Sequence, residues 1–236
     1  MNAPAIQIAH LTKRYGQFPA INDLSLSLPS GQIVGLLGEN GCGKTTLLKV
    51  LAGALTQYDG EVFVHGKRIG PETKAMVSFL PDASFLADSE TINGCIGMFA
   101  DFFADFSEAK CRALIQFFQL DPTRKLNTLS KGMREKAQIA LAMSRNAKVF
   151  LLDEPISGVD PAAREVILEA IVRDLPEDAL VLISTHLIHD LEPVLDGVAF
   201  MRHGQILLAG AVDDLRAERN MSIDQLFREV YRWSAH

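Results

Sequence analysis

No apolar run in this 236-residue chain approaches the roughly 18 residues that a membrane-spanning helix needs, so no segment is expected to cross a bilayer. Basic residues are in deficit: 23 Lys and Arg against 29 Asp and Glu give a net charge of −6 and a pI near 5.5. A nucleic-acid binder normally carries a basic face or stripe, so no nucleic-acid partner is expected. Cysteine is scarce, and Cys42, Cys95 and Cys111 show neither paired spacing nor a Cys/His cluster. That argues against a disulfide framework and a zinc site, and leaves reduced thiols of the cytosolic kind. The opening Met1-Asn2-Ala3-Pro4-Ala5 lacks a charged segment followed by an apolar one, so no secretory signal is expected. Internal repeats and low-complexity tracts are also missing. What remains is 48% hydrophobic and 22% charged. Such a chain has ample core for one large domain, or for one domain with a substantial insertion.

The stretch Gly38-Glu39-Asn40-Gly41-Cys42-Gly43-Lys44-Thr45-Thr46 follows the pattern G-x-x-x-x-G-K-S/T. It sits between Gln32-Ile33-Val34-Gly35-Leu36-Leu37, which reads as a buried strand, and Thr46 to Ala52, which reads as a helix. Glycines let successive amides turn inward around an anion with no Cβ in the way. The free N–H groups of the first helical turn point at the same anion. Lys44 supplies a point charge for the β- and γ-phosphates, and the Thr45 hydroxyl is placed to ligate Mg²⁺. Nucleotide binding follows from this segment, but the use made of the nucleotide does not.

Around it, residues 6–31 read as strands and turns. Ile6-Gln7-Ile8 alternates, Lys13-Arg14-Tyr15-Gly16 turns, and Asp23 to Leu28 alternates strictly before Pro29-Ser30-Gly31. Glu61 to Val64 and Met76 to Leu80 are short strands. From Asp88 to Ser144 the period becomes helical. Ile92, Ile96, Phe99 and Phe103 share one stripe, Leu114, Phe117 and Phe118 mark a second helix, and Ile139, Leu141, Ala142 and Met143 a third. Strands then alternate with helices again: Lys148 to Leu152, a helix capped by Asp160 with Pro161 at its first position, Ala179 to Ile183, and a short helix near Leu187 to Leu191. A hairpin pairs Val198 to Met201 with Gln205 to Leu208 across His203-Gly204, and Ser222-Ile223-Asp224-Gln225 forms a capping box. The box opens a last helix with Leu226, Phe227, Val230 and Tyr231 on one side. The fold class is therefore α/β, with a mostly parallel sheet, an antiparallel β flank and an inserted helical lobe. The expected division is a core over 1–82 and 145–215, a helical lobe over 83–144 and a C-terminal helix over 216–236.

Val149-Phe150-Leu151-Leu152-Asp153-Glu154 is an apolar strand ending in two acids, at the strand end where open α/β sheets bind ligands. Asp153 suits an outer Mg²⁺ ligand, and Glu154 suits a base that orients or deprotonates an attacking water. Leu129-Ser130-Lys131-Gly132-Met133 opens a helix. It reads either as an ordinary capped start or as an anion site offering free amides and a hydroxyl. Ser157-Gly158-Val159-Asp160 follows the acids, and His186 closes Ile183-Ser184-Thr185-His186.

In order and spacing, Gly38–Thr46, Leu129–Met133, Val149–Glu154, Ser157–Asp160 and His186 resemble the Walker A, signature, Walker B, D-loop and switch-histidine elements of ABC transporter nucleotide-binding subunits. The resemblance runs from Tyr15 to the last helix, and it implies the P-loop NTPase fold of the ABC ATPase type. It also implies an ATPase in which Gly38, Glu39, Asn40, Gly41, Cys42, Gly43, Lys44, Thr45 and Thr46 hold ATP and Tyr15 stacks on the adenine. Thr45, Asp153 and Asp82 would hold Mg²⁺, and Glu154, His186 and Lys44 would do the chemistry. Such subunits pair head to tail, so Ser130, Lys131, Gly132 and Met133 would touch ATP bound by the partner, and Asp160 would lie in the interface. The implied partners are a second ATP-binding subunit and an integral-membrane permease, which would hold the protein on the inner face of the cell membrane.

Two departures stand out. Asp82 in Phe79-Leu80-Pro81-Asp82 falls where the family usually has Gln, and an ionised carboxylate cannot donate a hydrogen bond. Lys131 and Met133 replace the commoner Gly and Gln of the signature, and resemble exporter subunits that serve six-helix permeases for drugs, antimicrobial peptides or lantibiotics. Phe85, Phe99, Phe102, Phe103, Phe106, Phe117 and Phe118 crowd the helical stretch, and an exposed groove around Phe102, Phe103 and Phe106 would suit a docking helix. Cys42 is expected to be open to alkylation and protected by ATP. The rival readings are a soluble cluster-assembly ABC ATPase and a P-loop small-molecule kinase. The kinase has no use for Leu129–Met133 or His186.

Overall fold

The structure, a computed structural model, describes residues 4–233; the segment 234–236 of the expected last helix lies outside the described residues. In chain order the strands are β1 (Ile6–Tyr15), β2 (Phe18–Leu28), β3 (Gln32–Leu37), β4 (Asp59–Val64), β5 (Lys67–Arg68), β6 (Val77–Leu80), β7 (Val149–Asp153), β8 (Leu180–Thr185), β9 (Gly197–Arg202) and β10 (Gln205–Ala211). The helices are α1 (Lys44–Leu51), α2 (Pro71–Met76), α3 (Ile92–Phe102), α4 (Glu108–Phe117), α5 (Lys131–Met143), α6 (Pro161–Val172), α7 (Ile188–Leu191), α8 (Val212–Arg219) and α9 (Ile223–Trp233).

Strands without a polar face must be covered on both sides, and β7 and β8 are buried along their whole length. They lie in a sheet of order β10-β9-β3-β8-β7-β6, in which β9, β3, β8, β7 and β6 run parallel and β10 returns antiparallel. Successive side chains alternate between two cores, as the pleat requires. Val34, Leu36, Val149, Leu151, Leu180 and Leu182 pack toward α1 and the antiparallel sheet β2-β1-β4-β5. Leu37, Phe150, Leu152, Val181 and Ile183 pack on the other side, with the helices of the middle segment.

Two local expectations shift. Lys13, Arg14 and Tyr15 belong to β1, and the turn begins at Gly16, whose φ of +60° only glycine adopts without strain. Lys13 is pulled in because its ammonium finds the Gln57 carbonyl at 2.6 Å. Met76 ends α2 instead of opening β6; Pro71 at the first helical position was the available sign of that helix.

Each helix of the middle segment is capped as its sequence dictates: the Thr91, Ser107 and Ser130 hydroxyls accept from Gly94, Lys110 and Met133 N–H. Arg145 ties these helices to the sheet. Its side chain is 5% exposed, its Nε donates to Asp105 Oδ1 at 2.6 Å, its Nη2 donates to the Ala75 carbonyl at 2.9 Å, and its guanidinium lies 4.0 Å from the Phe103 ring centroid.

The C-terminal helices are fixed by a single carboxylate. Glu192 Oε1 accepts from Arg216 Nη2 at 2.7 Å and Ile223 N at 3.0 Å, and Oε2 accepts from Asp224 N at 3.3 Å. The Ser222 and Gln225 side chains reciprocally cap the same helix start. Burial pushes the Glu192 carboxyl up, but the two backbone amides and Arg216 outweigh it and hold the group below its ordinary value. A depressed carboxylate stabilises above the unfolded-state pKa and loses that contribution as pH falls through the folded one. Glu192→Gln should therefore cost about 1.5–3 kcal/mol at neutral pH. In urea melts the gap from wild type should narrow below about pH 4.3; a gap independent of pH would contradict this.

Candidate active site

Register brings the strand ends into line. Leu37 of β3 pairs with Thr185 of β8, Asp153 of β7 with Ser184, and Leu80 of β6 with Leu152. The residues that follow these ends are the phosphate loop, His186, Glu154 and, after Pro81, Asp82.

Between β3 and α1, Gly43 has φ +114°, and a Cβ there would strike the Ala20 carbonyl and the Met201 methyl. The loop is thus pressed against the antiparallel sheet, and only glycine fits. The Lys44 side chain is 6% exposed. Its ammonium donates to the Gly38 carbonyl at 2.8 Å and the Glu39 carbonyl at 3.2 Å, and lies 3.5 Å from Glu154 Oε1. Cys42 corrects an expectation: it is buried in the core beneath the loop, and burial holds its thiol above the ordinary value. Its alkylation in the folded protein should therefore be slow even without nucleotide.

Asp153 is 1% exposed. Its Oδ1 accepts from the Ser184 hydroxyl at 2.5 Å, while Oδ2 has no hydrogen-bond partner. Glu154 has a left-handed φ of +51°, held by its N–H donating to the Ser184 carbonyl at 3.0 Å. His186 Nδ1 lies 3.1 Å from Glu154 Oε2. Ser184 therefore fixes both acids, a role the sequence reading missed. The available sign was the hydroxyl pair Ser184-Thr185 closing an otherwise apolar buried strand.

A cleft of about 290 Å³ opens above the loop. Tyr15 and Phe18 stand at one side, Asn40, Gly41 and Gly43 to Thr46 line it, and Asp82 and Glu154 close it. Tyr15 is 51% and Phe18 64% exposed, so two aromatic faces are free to stack on a base; Phe18 was not foreseen. Gly38, Glu39, Cys42, Asp153 and His186 stand behind or beside this lining. Ser130, Lys131, Gly132 and Met133 do not line the cleft; Ser130 and Lys131 are exposed at the start of α5. Lys131 lies 3.7 Å from Glu135. Burial holds the Glu135 carboxyl above its ordinary range; Lys131 opposes that shift and the charge of Asp82 adds to it. Asp160 is exposed and caps α6, accepting from Ala163 N at 3.0 Å.

Mg²⁺ is held by one or two carboxylates plus substrate phosphates and water, not by a closed protein cage. The residues fit that demand. Asp153 has an unpartnered buried oxygen, and Thr45 and Asp82 line the cleft. Among the described residues no group of three His, Cys, Asp or Glu side chains would hold a metal by itself.

Residues 21–157 match the family described as ABC transporter. The chain is 30% identical over 224 residues to an uncharacterized ABC transporter ATP-binding protein, YxlF, of Bacillus subtilis (strain 168), covering 92% of this chain and 75% of that protein. It is 29% identical to the Nod factor export ATP-binding protein I of Rhizobium meliloti (strain 1021), covering 87% of this chain and 64% of that one. A solved ATP-binding subunit of an ABC transporter superposes with TM-score 0.85 at 26% identity, covering 96% and 99% of the two chains.

Replacing Ser184 by Ala removes the donor to Asp153 while sparing the loop. ATP affinity should stay within about threefold and turnover fall about tenfold or more, the worth of a hydrogen bond to a charged group. Turnover equal to wild type would remove Ser184 from the site.

Proposed function

The chain belongs to the ABC transporter family and is an ATP-hydrolysing, ATP-binding subunit of such a transporter; from that premise we propose that it works as half of a head-to-tail pair that drives a permease in the export direction. The observation that carries the pairing is the split of its motifs. The phosphate loop, both acids and His186 gather at one row of strand ends, while Ser130 to Met133 lie outside the cleft with the open amides of a helix start. Those amides and the Ser130 hydroxyl complete the γ-phosphate site of a second subunit, with Asp160 at the joint.

Within one protomer, the ammonium of Lys44 turns from the Gly38 and Glu39 carbonyls and Glu154 to the β- and γ-phosphates. Glu154, released, takes a proton from the attacking water, and His186 holds that carboxylate and the γ-phosphate in line. Thr45, Asp153 and Asp82 are the residues that would hold Mg²⁺, which would supply charge neutralisation for the phosphates. Asp82 accepts hydrogen bonds only, so it orients water and metal without donating to phosphate. Tyr15 and Phe18 grip the adenine. Once the γ-phosphate leaves, the shared contacts between subunits are lost and the pair opens.

The helices between Asp82 and Ser144 form the lobe that meets the permease. Ser78, Phe79, Phe85, Met98, Phe99, Phe102, Phe103, Ala142 and Arg145 line a groove of about 320 Å³ there. Phe102 is 77% exposed, whereas Phe103 and Phe106 pack inward against Phe99, so the apolar face is narrower than the phenylalanine count predicts. A permease helix seated in this groove would hold the protein at the inner face of the cell membrane. Export is supported by the names of the Nod factor relatives and by Lys131 and Met133, and a drug, peptide or lantibiotic-like cargo by the same signature.

Glu154→Gln should keep ATP affinity within about threefold and lower turnover by about a thousandfold or more. Turnover near wild type would require a different base. Phe102→Ser should abolish co-purification with the permease while leaving the ATP affinity of the free subunit unchanged; undiminished co-purification would place docking elsewhere.

A further inference from the structure

The last helix reaches the phosphate loop from behind, and nothing in the reaction described so far uses that contact. Tyr231 of α9 is 8% exposed, and its hydroxyl donates to the Met201 carbonyl. The Glu39 backbone lies close enough to the same phenol oxygen to interact with it. The first residue of the loop sits directly against this group: a Cβ on Gly38 would lie 3.2 Å from the Tyr231 hydroxyl and 2.6 Å from the Cys42 sulfur. Burial pushes the Tyr231 phenol far above its ordinary value, so the hydroxyl keeps its proton and remains a donor to Met201.

The phenol is aimed by its neighbours. Its ring stacks on Phe227 with centroids 4.0 Å apart, and Phe227 meets Phe200 of β9 edge-on at 5.5 Å. Arg202 lies over the Tyr231 ring at 5.5 Å and donates to the Tyr231 carbonyl at 3.2 Å. At its other end α9 is fixed by Glu192 and the Ser222–Gln225 box. A helix anchored at both ends is a strut, and the strut ends on the loop whose Gly38 and Glu39 carbonyls hold the Lys44 ammonium.

We propose that Tyr231 is a positioning residue for ATP: through its hydroxyl, α9 braces the Gly38–Glu39 end of the phosphate loop in the shape that accepts the triphosphate. Resting on the assignment of Gly38–Thr46 as that loop, the inference adds a preorganisation that the loop sequence does not supply. A loop held in its bound shape loses less freedom on binding, so the brace acts on affinity and leaves the chemical step alone.

The test is Tyr231→Phe in the full chain, which keeps the stacked ring and removes only the hydroxyl. The expected result is a split: KM for ATP rises about fivefold, the worth of one ordinary hydrogen bond, while kcat at saturation stays within about twofold. The buried Cys42 thiol, followed by peptide mass spectrometry during alkylation without nucleotide, should label several times faster than in wild type. Phe227→Leu, which keeps an apolar contact but removes the ring that aims the phenol, should give the same split in smaller degree. Unchanged KM and unchanged Cys42 labelling in both variants would make Tyr231 a packing residue and overturn the proposal, as would a fall in kcat at unchanged KM. Lys44→Ala, run alongside, separates the two levels of the claim. If it binds ATP normally, the loop assignment fails; if it loses ATP while Tyr231→Phe leaves KM unchanged, only the brace fails.

Discussion

A carboxylate as deeply buried as Asp153 is tolerable only if its charge is answered, and the surrounding chain is arranged around that demand. Ser184 satisfies one of its oxygens, and the other faces the problem alone. Next to it, Glu154 is forced into a left-handed backbone conformation and shares its carboxylate between Lys44 and His186. Parallel pairing of β3, β8, β7 and β6 is what makes this concentration of polar groups possible, because it ends four apolar strands in one row. The loop amides and Lys44 complement the charge of a triphosphate, and a Mg²⁺ held as proposed would answer the acids.

The same logic bears on the proposed division of the site between two subunits. The start of α5, with Ser130 and Lys131 exposed, does not line its own cleft, which supports the proposal that it serves a phosphate bound by a second subunit. The middle helices carrying that start share a core with the sheet, and Arg145 adds a polar tie, reaching backbone carbonyls of Ala75 and Val77 and packing on Phe103 at the lip of the apolar groove.

Much of this was legible in the chain because its signals are local. The loop pattern, the acids closing an apolar strand, and the caps at Ser130, Asp160 and Ser222 each announce themselves within a few residues. Alternation and helical period placed the sheets and the helical insertion, but α2 was hidden by its shortness, and Lys13 to Tyr15 read as a turn although β1 continues through them. The residues that escaped act through tertiary contacts. Ser184 matters because β8 lies beside β7, Phe18 because the hairpin returns it next to Tyr15, and Tyr231 because α9 crosses behind Gly38. Cys42 was misjudged for the same reason: a loop residue looks exposed until the core beneath the loop is seen.

Two chains sharing a triphosphate is the central claim, and sedimentation velocity of the Glu154→Gln chain measures it. The mass should be that of a monomer without nucleotide and should double with Mg²⁺ and ATP, while adding Ser130→Arg to the same chain should keep ATP bound and abolish the doubling. A chain that binds ATP with Mg²⁺ and still sediments as a monomer would contradict it.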